Sequence, residues 1–340
     1  MVNEEINRRV ILQSRPQGYP TSENFKIIES DIPVPSEGEV LVRTLWLSVD
    51  PYMRGRISDV PSYAAPHPVG KTMPGGTVGK IVVSRNALLP VGTFVEVAAG
   101  WQDYLISSGR NLRILDPRDA PLSTALGILG MPGLTAYHGL FEIGKPQPGE
   151  TLLVSGASGA VGAVVGQLGK LAGCTVVGIA GSAEKVNYLA QELGFDAVIN
   201  YKTDNVEAAI PEYCPNGVDV YFDNVGGEIT DVVMENLAFR ARMIICGQIS
   251  QYNLTEPELG PRNLRQLLVH QASVEGFIVG RFADRAEVAR ARLTQLLQQG
   301  KIAYREDVIE GLEYAPDAFM GLFEGKNFGK MLIKVSSENE

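Results

Sequence analysis

The sequence predicts an α/β protein in which a mostly β region precedes a doubly wound parallel sheet, and three observations carry that prediction. Before Leu122 the chain is a series of short apolar or β-branched runs broken by Gly and Pro. After it, strand-like runs recur at intervals that leave room for a helix between each pair. The first of these runs leads through a glycine loop into an amphipathic helix.

In the first region the strand candidates are Val40–Leu45, Gly79–Val83, Thr93–Val97 and Tyr104–Ile106, each bounded by turn formers, with little helical periodicity between them. In the second they are Thr151–Ser155, Thr175–Ala180, Ala197–Asn200, Val218–Asp223, Met243–Cys246 and Val274–Phe277. One intervening helix places Val161, Val164, Val165 and Leu168 on a single face, and another does so with Val186, Leu189, Ala190 and Leu193. Asp284 with Glu287 reads as a capping pair for a helix carrying Ala289, Leu293, Leu296 and Leu297, which Gly300 stops. From about Arg305 the pattern returns to strand, helix and strand, ending Met331–Val335. The expected division is residues 1–125, completed by 305–340, and residues 126–304. There is no internal repeat and no low-complexity tract.

Composition narrows the function classes. Hydrophobic residues make up 45% and charged residues 20% of the 340, enough to bury a core, so disorder is not expected away from the polar ends. A net charge of −9 argues against a nucleic-acid surface and leaves room for a local basic pocket. Met1–Glu5 is acidic and polar, unlike a secretory leader, and no apolar run approaches the ~20 residues of a membrane span. Cys174, Cys214 and Cys246 are odd in number and far apart, which suits a reducing compartment; the expectation is a cytoplasmic protein with no membrane partner.

The glycine loop is Gly156-Ala157-Ser158-Gly159-Ala160-Val161-Gly162, spaced G-x-x-G-x-x-G. Such a turn needs glycine because a Cβ would keep the backbone from approaching a pyrophosphate, and the following helix offers its positive end to the phosphates. Alone, a glycine-rich loop can be merely a turn; between a strand and a helix, and followed by further strand–helix units, it predicts dinucleotide binding. A site for NAD usually ends its second strand in Asp or Glu, to hold the ribose 2′-hydroxyl. Here that strand ends in Gly181-Ser182, and Lys185 follows in the first turn of a helix that Ser182 can cap. A cation there opposes the helix dipole, which a 2′-phosphate would explain, so the cofactor is expected to be NADPH. The plain alternative is a solvated lysine offset by Glu184.

Several ordered strings then identify a resemblance that runs nearly end to end. They are Asp50-Pro51-Tyr52-Met53-Arg54-Gly55-Arg56, Gly130-Met131-Pro132-Gly133-Leu134-Thr135-Ala136-Tyr137, Phe222-Asp223-Asn224-Val225-Gly226-Gly227, the stretch from Cys246 to Asn253, and Gly325-Lys326-Asn327-Phe328-Gly329-Lys330. The chain resembles the zinc-independent medium-chain dehydrogenase/reductases, in the branch of prostaglandin reductases and bacterial curcumin reductase. The resemblance implies a GroES-like catalytic domain built from both chain ends around a Rossmann domain, NADPH in the cleft between them, and a homodimer. By position it implies that Lys185 and Tyr201 contact the 2′-phosphate, Asn224 and Asn327 the ribose or nicotinamide side, and Ser250 the phosphates. Each also has a structural reading: Tyr201 as a strand-edge aromatic, Asn224 as a turn former and Asn327 as a loop cap.

Zinc-dependent members need Cys and His ligands in the N-terminal half. This chain has no cysteine before Cys174, reads Leu47-Ser48-Val49-Asp50-Pro51 in the corresponding segment, and has Gly75-Gly76 where Gly-His-Glu would stand. Its histidines, His67, His138 and His270, share no ligand spacing, so no metal is expected. Without a Lewis acid, hydroxyl donors can stabilise the enolate formed when hydride adds to the β-carbon of an enone. Tyr52 and Tyr252, from strings that the resemblance puts at the cleft, are the candidates, with Tyr63 on the Pro61–Pro66 loop a third. The expected activity is reduction of the C=C bond of an α,β-unsaturated ketone or aldehyde. The alternatives are an NADPH quinone oxidoreductase and a non-catalytic NADPH-binding interaction protein. The stretches Asn253–Arg265 and Ser58–Pro66 are expected to border the substrate; the former lacks a tyrosine found in mammalian relatives, which argues against an eicosanoid preference.

Overall fold

Short runs containing β-branched residues, Val10-Ile11 and Ile27-Ile28, lie in two strands at the start of the chain, β1 (Ile6–Leu12) and β2 (Phe25–Asp31), paired antiparallel. The computed structural model describes residues 6–338, so the polar start Met1–Glu5 lies outside the described residues. Further strands follow: β3 (Val40–Ser48), β4 (Thr77–Ser84), β5 (Phe94–Val97), β6 (Tyr104–Ser107) and β7 (Arg113–Leu115). One short helix, α1 (Met53–Arg56), interrupts them. The chain then enters α2 (Met131–His138), whose first turn contains Pro132, a residue suited to a helix start because its missing N–H has no helical partner there.

Six parallel strands come next: β8 (Thr151–Val154), β9 (Thr175–Ala180), β10 (Ala197–Asn200), β11 (Val218–Asp223), β12 (Leu237–Ile245) and β13 (Ser273–Gly276). Their order in the sheet is β10-β9-β8-β11-β12-β13, the doubly wound arrangement that reverses between β8 and β11. The helices between them are α3 (Gly162–Leu171), α4 (Ala183–Asn187), α5 (Val206–Tyr213), α6 (Gly227–Glu235) and α7 (Leu264–His270). In α3, Val164, Val165 and Leu168 are buried, as the periodicity predicts. The helix after β9 widens beyond α4: the Leu193 N–H reaches the Tyr188 carbonyl, five residues back, at 3.1 Å. Leu189 and Leu193 are nonetheless both buried.

One capping expectation fails. Asp284 does not cap the next helix, α8 (Ala286–Gln298); it lies in the tighter helical turns Val279–Arg285 that run directly into it. Arg285 stands at the cap position and no side chain caps the helix. Glu287 pairs instead with Arg290 at 2.6 Å, one turn along the same face. The chain ends with β14 (Glu306–Glu310), α9 (Ala315–Phe323) and β15 (Lys330–Lys334).

Two compact units result: residues 1–126, 306–327 and 331–340 in one, and residues 127–305 with 328–330 in the other. In the first unit, β14-β15-β3-β4-β5-β7 form a sheet, with β6 also on β3. One of its cores gathers Phe25, Trp101 and Phe319, whose ring centroids lie 6.1–6.2 Å apart. In the second, Leu153, Val177, Ile179, Ile199 and Tyr221 line one face of the parallel sheet with almost no exposure.

Candidate active site

The glycine loop joins β8 to α3 at the C-terminal edge of the parallel sheet. Gly156 has φ +58°, a conformation that disfavours a side chain. A Cβ on Gly162 would stand 2.4 Å from the Gly156 carbonyl oxygen, so the loop can close only with glycine there. The Ala157 N–H donates to the Ile179 carbonyl at 3.0 Å, and Ala157 and Ser158 are buried beneath the turn. Gly159, Ala160 and Val161 remain partly accessible. Gly159 also makes a parallel bridge with Gly329. This is a cradle that a Cβ would fill, at the positive end of a ten-residue helix; a dinucleotide pyrophosphate fits it.

At the end of β9, the Tyr201 N–H donates to the Ala180 carbonyl at 3.0 Å and the ring lies over Gly181. A Cβ on Gly181 would come within 2.6 Å of that ring, so glycine at this strand end makes room for the phenol. Ser182 caps α4 by accepting from the Lys185 N–H at 3.3 Å. Lys185 is partly buried, and Tyr201 keeps 45% of its surface. This group of strand-end glycine, hydroxyl, ammonium and phenol contains no carboxylate except the exposed Glu184, whose Oε1 faces Arg305 at 3.6 Å.

The loop after β11 abuts the glycine loop. The Asn224 N–H donates to Ser155 Oγ at 2.9 Å, and Asn224 Nδ2 donates to the Ser155 carbonyl at 2.8 Å. Asn224 Cβ would stand 3.3 Å from a Cβ on Gly156. Ser250 Oγ donates to the Val225 carbonyl at 2.7 Å, which ties the next strand-end loop to this one. Tyr252 folds back under that loop, its hydroxyl accepting from the Gln248 N–H at 3.3 Å. The sequence reading missed the residue at the centre of this network, Asp223, which is fully buried. Its only signal in the sequence is an acidic residue closing the apolar run Val220–Phe222 at the end of a strand.

In the other unit, Tyr52 immediately precedes α1 and is partly buried. Burial pushes its hydroxyl well above the ordinary phenol, the charge of Asp50 and the presence of Tyr63 add to this, and Arg56 opposes it. Asp50 is itself buried and accepts a hydrogen bond from Ser48 Oγ. Tyr63 sits on an exposed loop, yet desolvation raises its hydroxyl too, again against Arg56. Tyr52 and Tyr63 are therefore neighbours around one guanidinium, and both phenols keep their protons at neutral pH. Arg56 is the second residue that the sequence reading passed over. Asn327, partly buried, closes the returning segment of this unit.

Among the described residues, no group of three or more His, Cys, Asp or Glu side chains could hold a metal ion. No helix among them is long and apolar enough to cross a membrane.

A chain that combines a β-rich unit with a doubly wound sheet carrying a glycine cradle falls in a class of nucleotide-dependent oxidoreductases, and the comparisons agree. Residues 8–115 match the family model for the N-terminal domain of oxidoreductases, and residues 160–295 match that of the zinc-binding dehydrogenases. The NADPH-dependent curcumin reductase of Escherichia coli strain K12 is 46% identical over 341 residues, covering 99% of each chain. The NADP(+)-dependent 2-alkenal reductase of Nicotiana tabacum is 41% identical over 344 residues, covering 99% of this chain and 100% of its own. CurA of Vibrio vulnificus, solved in complex with NADPH, superposes with a TM-score of 0.93 at 48% identity, covering 97% of this chain and 99% of that one. The chain belongs to the medium-chain dehydrogenase/reductase family, in the zinc-independent branch of the curcumin and prostaglandin reductases.

Proposed function

We propose that this oxidoreductase uses NADPH to reduce the C=C bond of α,β-unsaturated ketones and aldehydes. Three things support the choice of cofactor: the glycine cradle, the Gly181 strand end without a carboxylate, and Ser182, Lys185 and Tyr201 gathered there as ligands for a 2′-phosphate. In this reading Gly156–Gly162 hold the pyrophosphate with Ser250 beside the phosphates, and Asn224 and Asn327 take the ribose and nicotinamide side. When bound, NADPH supplies the hydride that adds to the β-carbon of the substrate.

The rest of the work falls to hydroxyl donors. Hydride addition leaves negative charge on the carbonyl oxygen, and a protonated phenol aimed at that oxygen stabilises the enolate. The observation that supports this reading is the grouping of Tyr52 with Tyr63 and Arg56: a partly buried phenol that is protonated at neutral pH and so available to donate to that oxygen. Tyr63 and Tyr252 are the further donors, and water delivers the proton to the α-carbon. The curcumin and 2-alkenal reductases are named for substrates of this kind.

The test is consumption of NADPH, followed by its near-ultraviolet absorbance, with matched panels of enones, quinones and saturated ketones. Turnover of enones, with the saturated ketone as product, supports the proposal. Turnover confined to quinones replaces it with a quinone reductase, and binding without any turnover replaces it with a nucleotide-binding protein that has lost its chemistry.

A further inference from the structure

Asp223 ends β11 with no exposed surface. Its Oδ1 accepts from Ser155 Oγ at 3.0 Å, from the Tyr221 hydroxyl at 2.9 Å, and from the Val225 and Gly226 N–H groups at 2.9 Å each. Its Oδ2 accepts from Thr230 Oγ1 at 2.7 Å. Two oxygens taking five donors form the pattern of an ionised carboxylate, which only accepts. All five donors are neutral, so among the described residues this negative charge has no cation beside it. A charge buried this deeply is costly even when fully hydrogen-bonded, which invites a reason for its presence.

Its field is felt nearby. Burial raises the Cys246 thiol to about 12 with Asp223 contributing, and the Tyr221 hydroxyl is raised by burial and then by the same carboxylate. Its place in the sheet suggests what else feels it. In a doubly wound sheet each half receives one mononucleotide across the carboxyl ends of its strands. The half containing β8, β9 and β10 carries the Gly181–Lys185 group for the 2′-phosphate, which leaves the half that begins with β11 for the nicotinamide.

We infer that Asp223 is a positioning residue with an electrostatic role: it locks the loops after β8 and β11 together, and its buried charge favours the oxidised nicotinamide over the reduced one. The inference rests on the NADPH reading above. Release of a hydride, two electrons and a proton leaving together for the substrate β-carbon, changes the charge of the ring from zero to plus one. The Asp223 carboxylate neither gains nor loses a proton in that step. It makes the bound nucleotide a better hydride donor by stabilising the cationic product.

The test is the ratio of the dissociation constants of NADP+ and NADPH, measured by calorimetry on the wild type, Asp223→Asn, Asp223→Ser and Tyr221→Phe. Two neutral replacements of different size are included so that one that fails to fold, as judged by circular dichroism, does not end the experiment. Both neutral variants are expected to raise the ratio at least about threefold, because only the cation loses its partner charge. Tyr221→Phe removes a hydrogen bond and keeps the charge, so its ratio should match the wild type. Equal weakening of both nucleotides in the Asp223 variants, or the same change of ratio in Tyr221→Phe, would reduce Asp223 to a structural brace and overturn the inference. Failure of the wild type to bind either nucleotide would remove the NADPH reading itself, a distinct result.

Discussion

Two loops of this protein are fixed in opposite ways. The turn Gly156–Gly162 is held by backbone against backbone: the positive φ of Gly156, the close approach of Gly162 to the Gly156 carbonyl, and the hydrogen bond of Ala157 to Ile179. The Ser58–Pro66 loop, which carries Tyr63, is closed from outside by one side chain. Arg15 Nη1 donates to the carbonyls of Ile57 at 3.2 Å and Ser58 at 3.4 Å, and its Nη2 donates to that of His67 at 3.0 Å. The His67 N–H completes the closure on the Arg56 carbonyl at 2.7 Å. The first loop is specified by its own residues; the second depends on an arginine more than forty positions away.

The contrast separates binding from chemistry. If the glycine loop only binds, and the tyrosines beside Arg56 only polarise the substrate, substitutions in the two units should divide cleanly between affinity and turnover. The largest effect is expected from Tyr52→Phe. Removal of one donor to an oxyanion costs about 100- to 1,000-fold in kcat. Steady-state kinetics with an enone should show that loss while calorimetry shows NADPH affinity unchanged. A variant that binds NADPH poorly would break the division.

Gly162→Ala is the reciprocal experiment in the other unit. Its methyl group would meet backbone at 2.4 Å, where no side chain can swing away, so the loop must open at a cost of about 1–3 kcal/mol. That corresponds to roughly 5- to 150-fold weaker NADPH binding, with a lower melting temperature. Gly280→Ala, at a site where nothing lies within 4 Å of the added Cβ, should change neither. Lys185→Ala should have an effect of similar size but more selective: one charged hydrogen bond contributes about 1.5–3 kcal/mol. NADPH affinity should then fall at least about tenfold and NADH affinity hardly at all. Equal losses for the two nucleotides would make Lys185 a general surface charge.

The same contrast explains what the sequence disclosed. The six parallel strands, the glycine loop and the Ser182 cap are local patterns: a short apolar run, a spacing of glycines, a hydroxyl three residues before an N–H. The Asp284–Glu287 cap is also a local pattern, and it failed because the preceding residues Val279–Arg285 had already turned helical and ran into α8. Asp223 was illegible for a different reason. Four of its five donors lie within seven residues, but Ser155 is 68 positions away, and only the sheet order brings β8 beside β11. Arg15 and the Ser58–Pro66 loop meet in the same way, through tertiary folding alone.

The smallest predicted effect sets the buried histidine of one unit against the half-buried histidine of the other. His138, at the end of α2, is 1% exposed and neither ring nitrogen has a hydrogen-bond partner; it stacks on Phe282 at 4.9 Å. Burial lowers its pKa, Arg285 lowers it further, and Glu142 and Asp284 oppose. His67 is lowered as well, chiefly by burial, and its Nε2 is also buried without a partner, but the residue is only half-buried and backbone hydrogen bonds with Lys71 and Thr72 oppose the shift. The sign follows from proton counting. Below the unfolded value of about 6.5 the unfolded chain takes up a proton that native His138 refuses, so the native state loses stability as the pH falls through that window. A single group can contribute a slope of at most about 1.4 kcal/mol per pH unit. Denaturant titrations at about pH 7.5 and about pH 5.5 should therefore show an acid-induced loss that His138→Phe reduces more than His67→Gln does. If both substitutions reduce it equally, burial of the ring is not what sets the pH response, and the distinction between the two histidines fails.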